Sequence, residues 1–126
     1  MNISIVGAGY VGLVTGACFA KLGNNVIILD IDKEKLEKIK RGISPIYEEG
    51  LDELLKDYRH RIEVTQDYDY AIQGSKVTFI CVGTPSKDDG SIDLSYVKDA
   101  ARSIGIALRE KKEWHLVVVK STVLPG

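Results

Sequence analysis

Three glycines near the amino terminus constrain the fold more than any other feature of this sequence. Gly7, Gly9 and Gly12 follow directly on Asn2–Val6, a segment rich in β-branched residues that predicts a first strand. The apolar segment Val11–Leu22 then predicts a buried helix. In such a turn the first glycine permits a tight bend, the second admits a phosphate group, and the third lets helix and strand pack closely. The pattern therefore predicts a strand, a turn and a helix whose amino end binds a diphosphate.

Strand-like and helix-like segments alternate along the rest of the chain. Further strands are predicted at Val26–Asp30, Arg61–Val64, Lys76–Val82 and Leu116–Lys120, and further helices at Lys33–Arg41, Tyr68–Gln73 and Leu94–Lys111, with a short one from Leu51. This alternation is typical of the α/β class, and it predicts a Rossmann doubly wound parallel sheet with helices on both faces. No covering helix follows Leu116–Lys120, so residues 1–126 are expected to form one domain truncated after the fifth strand.

Capping residues and apolar spacing predict the helix ends and their buried faces. Asp32 and Asp93 are expected to cap the helices that follow them, and Gly23 and Gly42 to end the helices that precede them. The residues expected to face the core are Leu51, Leu54, Leu55 and Tyr58 in the short helix and Val97, Ala101, Ile104 and Leu108 in the last helix.

Polar residues at the carboxyl ends of further strands extend the candidate site. Asp30 ends the second predicted strand. A carboxylate there can accept hydrogen bonds from both ribose hydroxyls and repels a 2′-phosphate, so NAD is expected rather than NADP. Ligands of such sheets bind beyond the strand ends, where this sequence places Gly83, Thr84 and Pro85 after the fourth strand and Ser121 and Thr122 after the fifth. For the Thr-Pro and Ser-Thr pairs, simple turn formation is the alternative.

Composition favours a small-molecule ligand. The 126 residues carry a formal net charge of −1, and no basic excess indicates nucleic acid or an anionic membrane. The apolar runs are far shorter than the roughly 18 residues needed to span a bilayer. A strand pattern begins directly after Met1, which leaves no room for a signal peptide. A cytoplasmic protein without nucleic-acid or membrane partners is expected.

The cysteines and histidines form no catalytic or metal-binding pattern. Cys18 and Cys81 lie in apolar stretches without CxxC spacing, and both are expected to be reduced core residues. His60 and His115 lie apart in charged segments and are expected at the surface. No metal site is predicted.

Four segments together resemble a known family. GAGYVGLVTGACFAKLG, PIYEEGLDELL, FICVGTPSKDDGSIDLSYV and VVVKSTVLPG are similar to the UDP-glucose/GDP-mannose dehydrogenases along nearly the whole chain. The resemblance implies a domain that binds NAD. It also implies that a central helix and a sugar-nucleotide-binding domain, both absent from this chain, complete a homo-oligomeric enzyme. Such enzymes oxidise a sugar C6 alcohol to a carboxylate in two NAD-dependent steps.

The resemblance also implies roles for individual residues. The diphosphate would lie on Gly7, Gly9, Tyr10, Val11 and Gly12, the adenosine ribose on Asp30 and Lys35, and the rest of the dinucleotide on Gly83, Thr84, Pro85 and Ser121. From the residues alone, Lys35 is a solvated surface lysine. Thr122 resembles the threonine that positions an active-site water. The cysteine that captures the aldehyde has no counterpart here, so this chain is expected to bind NAD without oxidising a sugar.

The nucleotide-sugar substrate and two other functions are left open by the sequence. PIYEEGL and GYVGLVTGACFA look more like UDP-glucose dehydrogenases, whereas ALREKKEWHLVVVKSTVLPG also looks like GDP-mannose dehydrogenases. UDP-glucose is favoured, with GDP-mannose as the alternative. A non-catalytic NAD sensor shares the glycine turn but has no need of Thr122. A β-hydroxyacid dehydrogenase is not expected to carry PIYEEGL together with GTPSKDDGS.

Overall fold

The computed structural model describes residues 1–83, 87–91 and 93–120. The strands are β1 (Asn2–Val6), β2 (Asn25–Leu29), β3 (Ile62–Thr65), β4 (Val77–Ile80) and β5 (Leu116–Val119). The helices are α1 (Tyr10–Lys21), α2 (Lys33–Lys40), α3 (Leu51–Asp57), α4 (Tyr68–Gln73) and α5 (Ser95–Leu108), with a 3₁₀ turn at Arg59–Arg61. Each predicted element is present, with its ends shifted by a few residues at most.

The strands form one parallel sheet in the order β3-β2-β1-β4-β5. At its centre, Ile5 of β1 pairs with Ile28 of β2 on one side and with Phe79 of β4 on the other. The chain first builds the sheet outward from β1 to β3, then returns to add β4 and β5 on the opposite side. The prediction of a Rossmann doubly wound sheet is confirmed. Ligands of such sheets bind where the strand order reverses, which is here between β1 and β4.

Helices cover both faces of the sheet because the central strands are apolar on both sides. Ile5 faces a core shared with α1, α2 and α3. Val6, the next residue, faces a second core shared with α4 and α5. The edge strand β5 is less protected, since Leu116 is 44% and Val119 46% exposed.

Local signals explain the ends of α1 and α2 and the buried face of α3. The Asp32 carboxylate accepts two N–H groups from the first turn of α2, at 3.0 and 3.3 Å, as a helix cap does. Gly23 and Gly42 follow α1 and α2 with φ of 101° and 79°, a backbone conformation that favours glycine. The predicted face of α3 is confirmed: Leu51 and Leu55 are buried, and Leu54 and Tyr58 pack partly buried against the same core.

Helix α5 differs from its prediction at its start and in its buried face. Its N-cap residue is Leu94 rather than the predicted Asp93. Asp93 precedes the N-cap residue, and its carboxylate accepts the Ser95 N–H at 2.9 Å. The predicted burial of Ala101 is wrong, because this residue lies on the exposed face. The face packed against α4 and β4 buries Ala100, Ile104 and Ala107, while Val97 and Leu108 are half-buried.

A group of buried hydroxyls lies on the face of the sheet that α4 and α5 cover. The sequence did not indicate this group. Ser4 of β1 and Thr78 of β4 are paired in register, and their hydroxyl oxygens lie 2.6 Å apart. The Ser75 hydroxyl lies 3.1 Å from that of Ser4 and donates to the Ala71 carbonyl at 2.7 Å. These three hydroxyl residues are buried, and their mutual hydrogen bonds satisfy them there.

His115 belongs to the same group, so its prediction as a surface histidine is wrong. It is half-buried, with Nε2 2.7 Å from the Thr78 hydroxyl and Nδ1 2.9 Å from the Lys111 ammonium. Lys111 also donates to the Ile72 carbonyl at 2.7 Å and to the Ser75 carbonyl. Because the ammonium is a donor only, Nδ1 accepts and the ring is neutral. His60 is exposed, as predicted.

Acid is expected to destabilise the fold through His115. Burial and the neighbouring Lys111 ammonium lower the pKa of His115 from its ordinary value of 6.5. The unfolded chain therefore binds a proton more readily, and the free energy of unfolding falls as the pH drops below 6.5. Urea unfolding between neutral and mildly acidic pH measures this slope. His115→Gln should flatten the slope and His60→Gln should not; an equal slope in the His115 variant would contradict the expectation.

Candidate dinucleotide-binding site

The glycine turn after β1 has the geometry that its sequence predicts. Gly7 has φ +108°, and a Cβ there would lie 2.7 Å from the Cys81 carbonyl oxygen in the segment after β4. A Cβ on Gly12 would lie 1.9 Å from the Gly7 carbonyl oxygen. The turn is thus compressed between β4 on one side and α1 on the other, and only glycine fits at these two positions.

The amino end of α1 opens away from the protein at Gly9. Gly9 is the N-cap residue, and a Cβ there would meet no heavy atom within 4 Å. Among the described residues no side chain caps α1, and its first turn holds no acidic residue. The first N–H groups of a helix lack partners within it and attract anions. With the exposed Tyr10 and Val11 beside it, this end of α1 has space and donors for the diphosphate of a dinucleotide.

Asp30 lies directly after β2 and holds two backbone groups. Its Oδ2 accepts the Ala8 N–H at 2.7 Å, and its Oδ1 accepts the Asp32 N–H at 2.9 Å. The structure therefore brings Asp30 together with the glycine turn, and the contact with Ala8 was not evident from sequence spacing. Lys35, the other residue predicted at the ribose, lies half-exposed in the first turn of α2.

Tyr68 is a residue near this site that the sequence did not indicate. It begins α4 and packs partly buried against the core under α4 and α5. Burial, and then the carboxylates of Asp30 and Asp99, raise the pKa of its hydroxyl. Its proximity to Asp30 follows from the pairing of β2 with β3, where the Asp30 N–H donates to the Thr65 carbonyl at 3.3 Å. No local sequence signal reports such a long-range neighbour.

The remaining predicted site residues lie after β4 and β5. Gly83 follows β4, is exposed, and would have open space around a Cβ. Four of the predicted residues, Thr84, Pro85, Ser121 and Thr122, lie outside the described residues, so their roles stay predictions. The predicted turn at Asp89 and Gly90 is present, with Gly90 at φ +87°.

The two cysteines lie in different settings. Cys81 is buried as predicted, and burial raises the pKa of its thiol to about 11. The predicted burial of Cys18 is wrong, because this residue lies on the exposed side of α1 while Ala17 and Ala20 face the sheet. Within residues 1–83, 87–91 and 93–120, no cluster of His, Cys, Asp or Glu could hold a metal ion. In the same ranges, no helix is long and apolar enough to cross a bilayer.

A glycine turn at the reversal point of a parallel sheet, facing a carboxylate after β2, defines the class of Rossmann dinucleotide-binding domains. Sequence comparison identifies the family within that class. Residues 1–126 match the UDP-glucose/GDP-mannose dehydrogenase family, NAD binding domain. This chain belongs to that family, and the predictions of the family and of NAD as cofactor are confirmed.

Individual relatives agree with this assignment. GDP-mannose 6-dehydrogenase of Pseudomonas aeruginosa is 50% identical over 100% of this chain, and UDP-glucose 6-dehydrogenase of Haloferax volcanii is 48% identical over 99% of it. A crystal structure of a ternary complex of GDP-mannose dehydrogenase from Pseudomonas aeruginosa matches all of the chain with a TM-score of 0.98 and 50% identity. The chain spans 29% of the length of each of these three proteins. Relatives named for GDP-mannose and for UDP-glucose thus stand at nearly equal identity.

Proposed function

We propose that this chain is the NAD-binding part of an enzyme that oxidises the C6 alcohol of a nucleotide sugar to a carboxylate with two NAD. The observation that carries the proposal is the meeting of the glycine turn, the open end of α1 and Asp30 at the reversal point of the sheet. Residues 1–126 form one domain of that enzyme. A central helix and a sugar-nucleotide-binding domain lie outside this chain.

Each part of the site has a role in holding NAD, which supplies a hydride acceptor when bound. N–H groups at the start of α1 donate to the diphosphate, beside Tyr10 and Val11. Asp30 accepts from the adenosine ribose, and Lys35 lies within the same turn region as a positive group. The remainder of the dinucleotide extends past Gly83, Thr84, Pro85 and Ser121. Thr122 is assigned the positioning of a water for the second oxidation.

UDP-glucose is the proposed substrate, which makes the whole enzyme a UDP-glucose 6-dehydrogenase of the cytoplasm. The segments PIYEEGL and GYVGLVTGACFA support this choice. GDP-mannose is the second candidate, supported by the 50% identity to a GDP-mannose 6-dehydrogenase. In a form of the protein that includes the sugar-binding domain, faster NADH formation with UDP-glucose would support the first candidate, and the reverse order would select the second. We also propose that the complete enzyme is a homo-oligomer.

The 126-residue chain is expected to bind NAD but to form no NADH from either sugar nucleotide, because the resemblance gives the cysteine that captures the aldehyde no counterpart in this sequence. NAD should bind about tenfold more tightly than NADP, since a 2′-phosphate would meet the Asp30 carboxylate. Calorimetry measures both affinities, and NADH absorbance measures turnover. Sustained turnover would show that the catalytic residues lie within this chain. NAD binding without turnover by the extended protein would favour the NAD sensor.

A further inference from the structure

The Asp30 carboxylate connects two parts of the site that are distant in sequence. Its Oδ2 accepts the N–H of Ala8 in the glycine turn, and its Oδ1 accepts the N–H of Asp32 in the turn that leads to α2. The first contact is 2.7 Å long and joins residues 22 positions apart. A hydrogen bond to a carboxylate at this distance is a strong one. The glycine turn is therefore held from the end of β2.

Ala8 lies in the middle of that turn and is completely buried, at 0% exposure. A buried N–H group without an acceptor is costly, so the bond to Asp30 favours this conformation of the turn over others. The neighbouring Gly7 has φ +108° and donates its N–H to the Leu29 carbonyl at 2.8 Å. Because the turn leads directly into Gly9, the N-cap of α1, its conformation sets where the amino end of α1 lies.

We infer that Asp30 is a positioning residue for the diphosphate as well as the ribose acceptor. Its carboxylate accepts the Ala8 N–H. This bond stabilises the conformation of the glycine turn, and that conformation sets the position of the amino end of α1. A carboxylate offers about four acceptor positions. Two are used by Ala8 and Asp32, which leaves two for the ribose hydroxyls. The inference rests on the proposed placement of NAD, and it predicts that Asp30 affects ligands that have no ribose hydroxyls.

Charge repulsion alone predicts the opposite effect of removing the Asp30 carboxylate. The carboxylate stands close to the position of an anionic diphosphate, and like charges repel. If Asp30 met only the ribose, removing its charge would strengthen the binding of a diphosphate without ribose hydroxyls. If Asp30 positions the turn, the same change weakens that binding.

The test compares ADP with 2′,3′-dideoxyadenosine diphosphate on the 126-residue chain and its Asp30→Asn variant. The variant has a neutral side-chain carbonyl, a weaker acceptor than the carboxylate, and in either orientation this carbonyl serves one of the Ala8 and Asp32 N–H groups while the amide NH₂ faces the other, so the connection between the two segments is lost. The matched control is Asp32→Asn, which removes one charge two residues away and keeps a helix cap. We expect Asp30→Asn to bind the dideoxy ligand about tenfold more weakly than the parent chain, and the control to bind it as tightly or more tightly.

An NMR measurement supplies a readout that does not depend on affinity. The Ala8 amide proton should move upfield in Asp30→Asn and stay in place in Asp32→Asn. Asp30→Ala removes both acceptor oxygens. It should weaken binding of the dideoxy ligand at least as much as Asp30→Asn does. Unchanged or tighter binding of that ligand by the Asp30 variants would overturn the inference and leave the ribose contact intact. Absence of NAD and ADP binding by the parent chain would overturn the proposed function and this inference together.

Discussion

Gly12→Ala is expected to lower the free energy of unfolding by about 1–3 kcal/mol and to remove measurable NAD binding. The new Cβ would lie 1.9 Å from the Gly7 carbonyl oxygen and 3.2 Å from Ile5 Cγ2. The first of these atoms belongs to the backbone of a turn that β2 and β4 hold in place, so it cannot move aside at little cost. Either α1 shifts or the turn opens, and each disturbs the diphosphate site. Urea unfolding and calorimetry with NAD measure the two effects.

Two other glycines supply the controls for this substitution. Gly105 lies in α5 with open space around its Cβ, so Gly105→Ala should raise stability by about 0.5–1 kcal/mol. Gly9→Ala should lower stability less than Gly12→Ala, because no protein atom lies near its Cβ and only the weaker preference for alanine at an N-cap counts against it, yet it should weaken NAD binding by filling the space for the diphosphate. If Gly12→Ala is as stable as the parent and binds NAD equally well, close packing of α1 on the turn is not required.

The order of the elements could be predicted because each depends on a local signal. Alternating apolar runs and helical spacing report strands and helices within a few residues of their position, and Asp32, Gly23 and Gly42 mark helix ends by their own conformational preferences. The parallel sheet then follows from the alternation, since a strand, helix and strand unit packs in essentially one way. Local chemistry thus determined most of the architecture.

The errors concern the direction in which a side chain faces. Cys18 lies in a helix whose sequence is apolar on nearly all sides, so spacing gave no means of choosing its exposed face. Ala101 and Ala100 are adjacent identical residues, and only the packing of α5 on α4 places one outside and the other inside. His115 looked like a surface residue because its neighbours in sequence are charged, whereas the fold brings it to the buried hydroxyl of Thr78, which is 37 positions away in sequence.

The candidate site shows the same division between local and long-range information. The three glycines and Asp30 were predicted, because a tight turn and a strand-end carboxylate have sequence signatures. The bond between Asp30 and the Ala8 N–H was not, because it depends on the side-by-side register of β1 and β2, in which Val6 pairs with Leu29. Hydrogen bonds between residues distant in sequence therefore determine the conformation of a site whose residues the sequence predicts.

In the hydrogen bonds of Lys111 and His115, the donor and the acceptor can be assigned, because an ammonium group only donates. The ammonium donates to the Ile72 and Ser75 carbonyls and to His115 Nδ1, which accounts for its three protons. The neutral ring must then donate from Nε2 to the Thr78 hydroxyl. Lys111 thus joins the end of α4 to the start of β5, and every acceptor it serves lies at least partly buried.

Lys111→Met is expected to lower the free energy of unfolding by about 2–4 kcal/mol. It keeps the length of the side chain but removes the donor of the Ser75 carbonyl and of His115 Nδ1, and leaves the Ile72 carbonyl with only the Ser75 N–H at 3.4 Å. The matched control is Lys112→Met, which removes the same charge from the exposed neighbouring residue and should change stability by no more than about 0.5 kcal/mol. Urea unfolding at neutral pH compares the two. Loss of the ammonium also removes the positive charge that opposes protonation of His115, so acid should destabilise this variant less steeply than the parent chain. Equal effects of the two lysine substitutions would show that the contacts of Lys111 contribute nothing beyond surface charge.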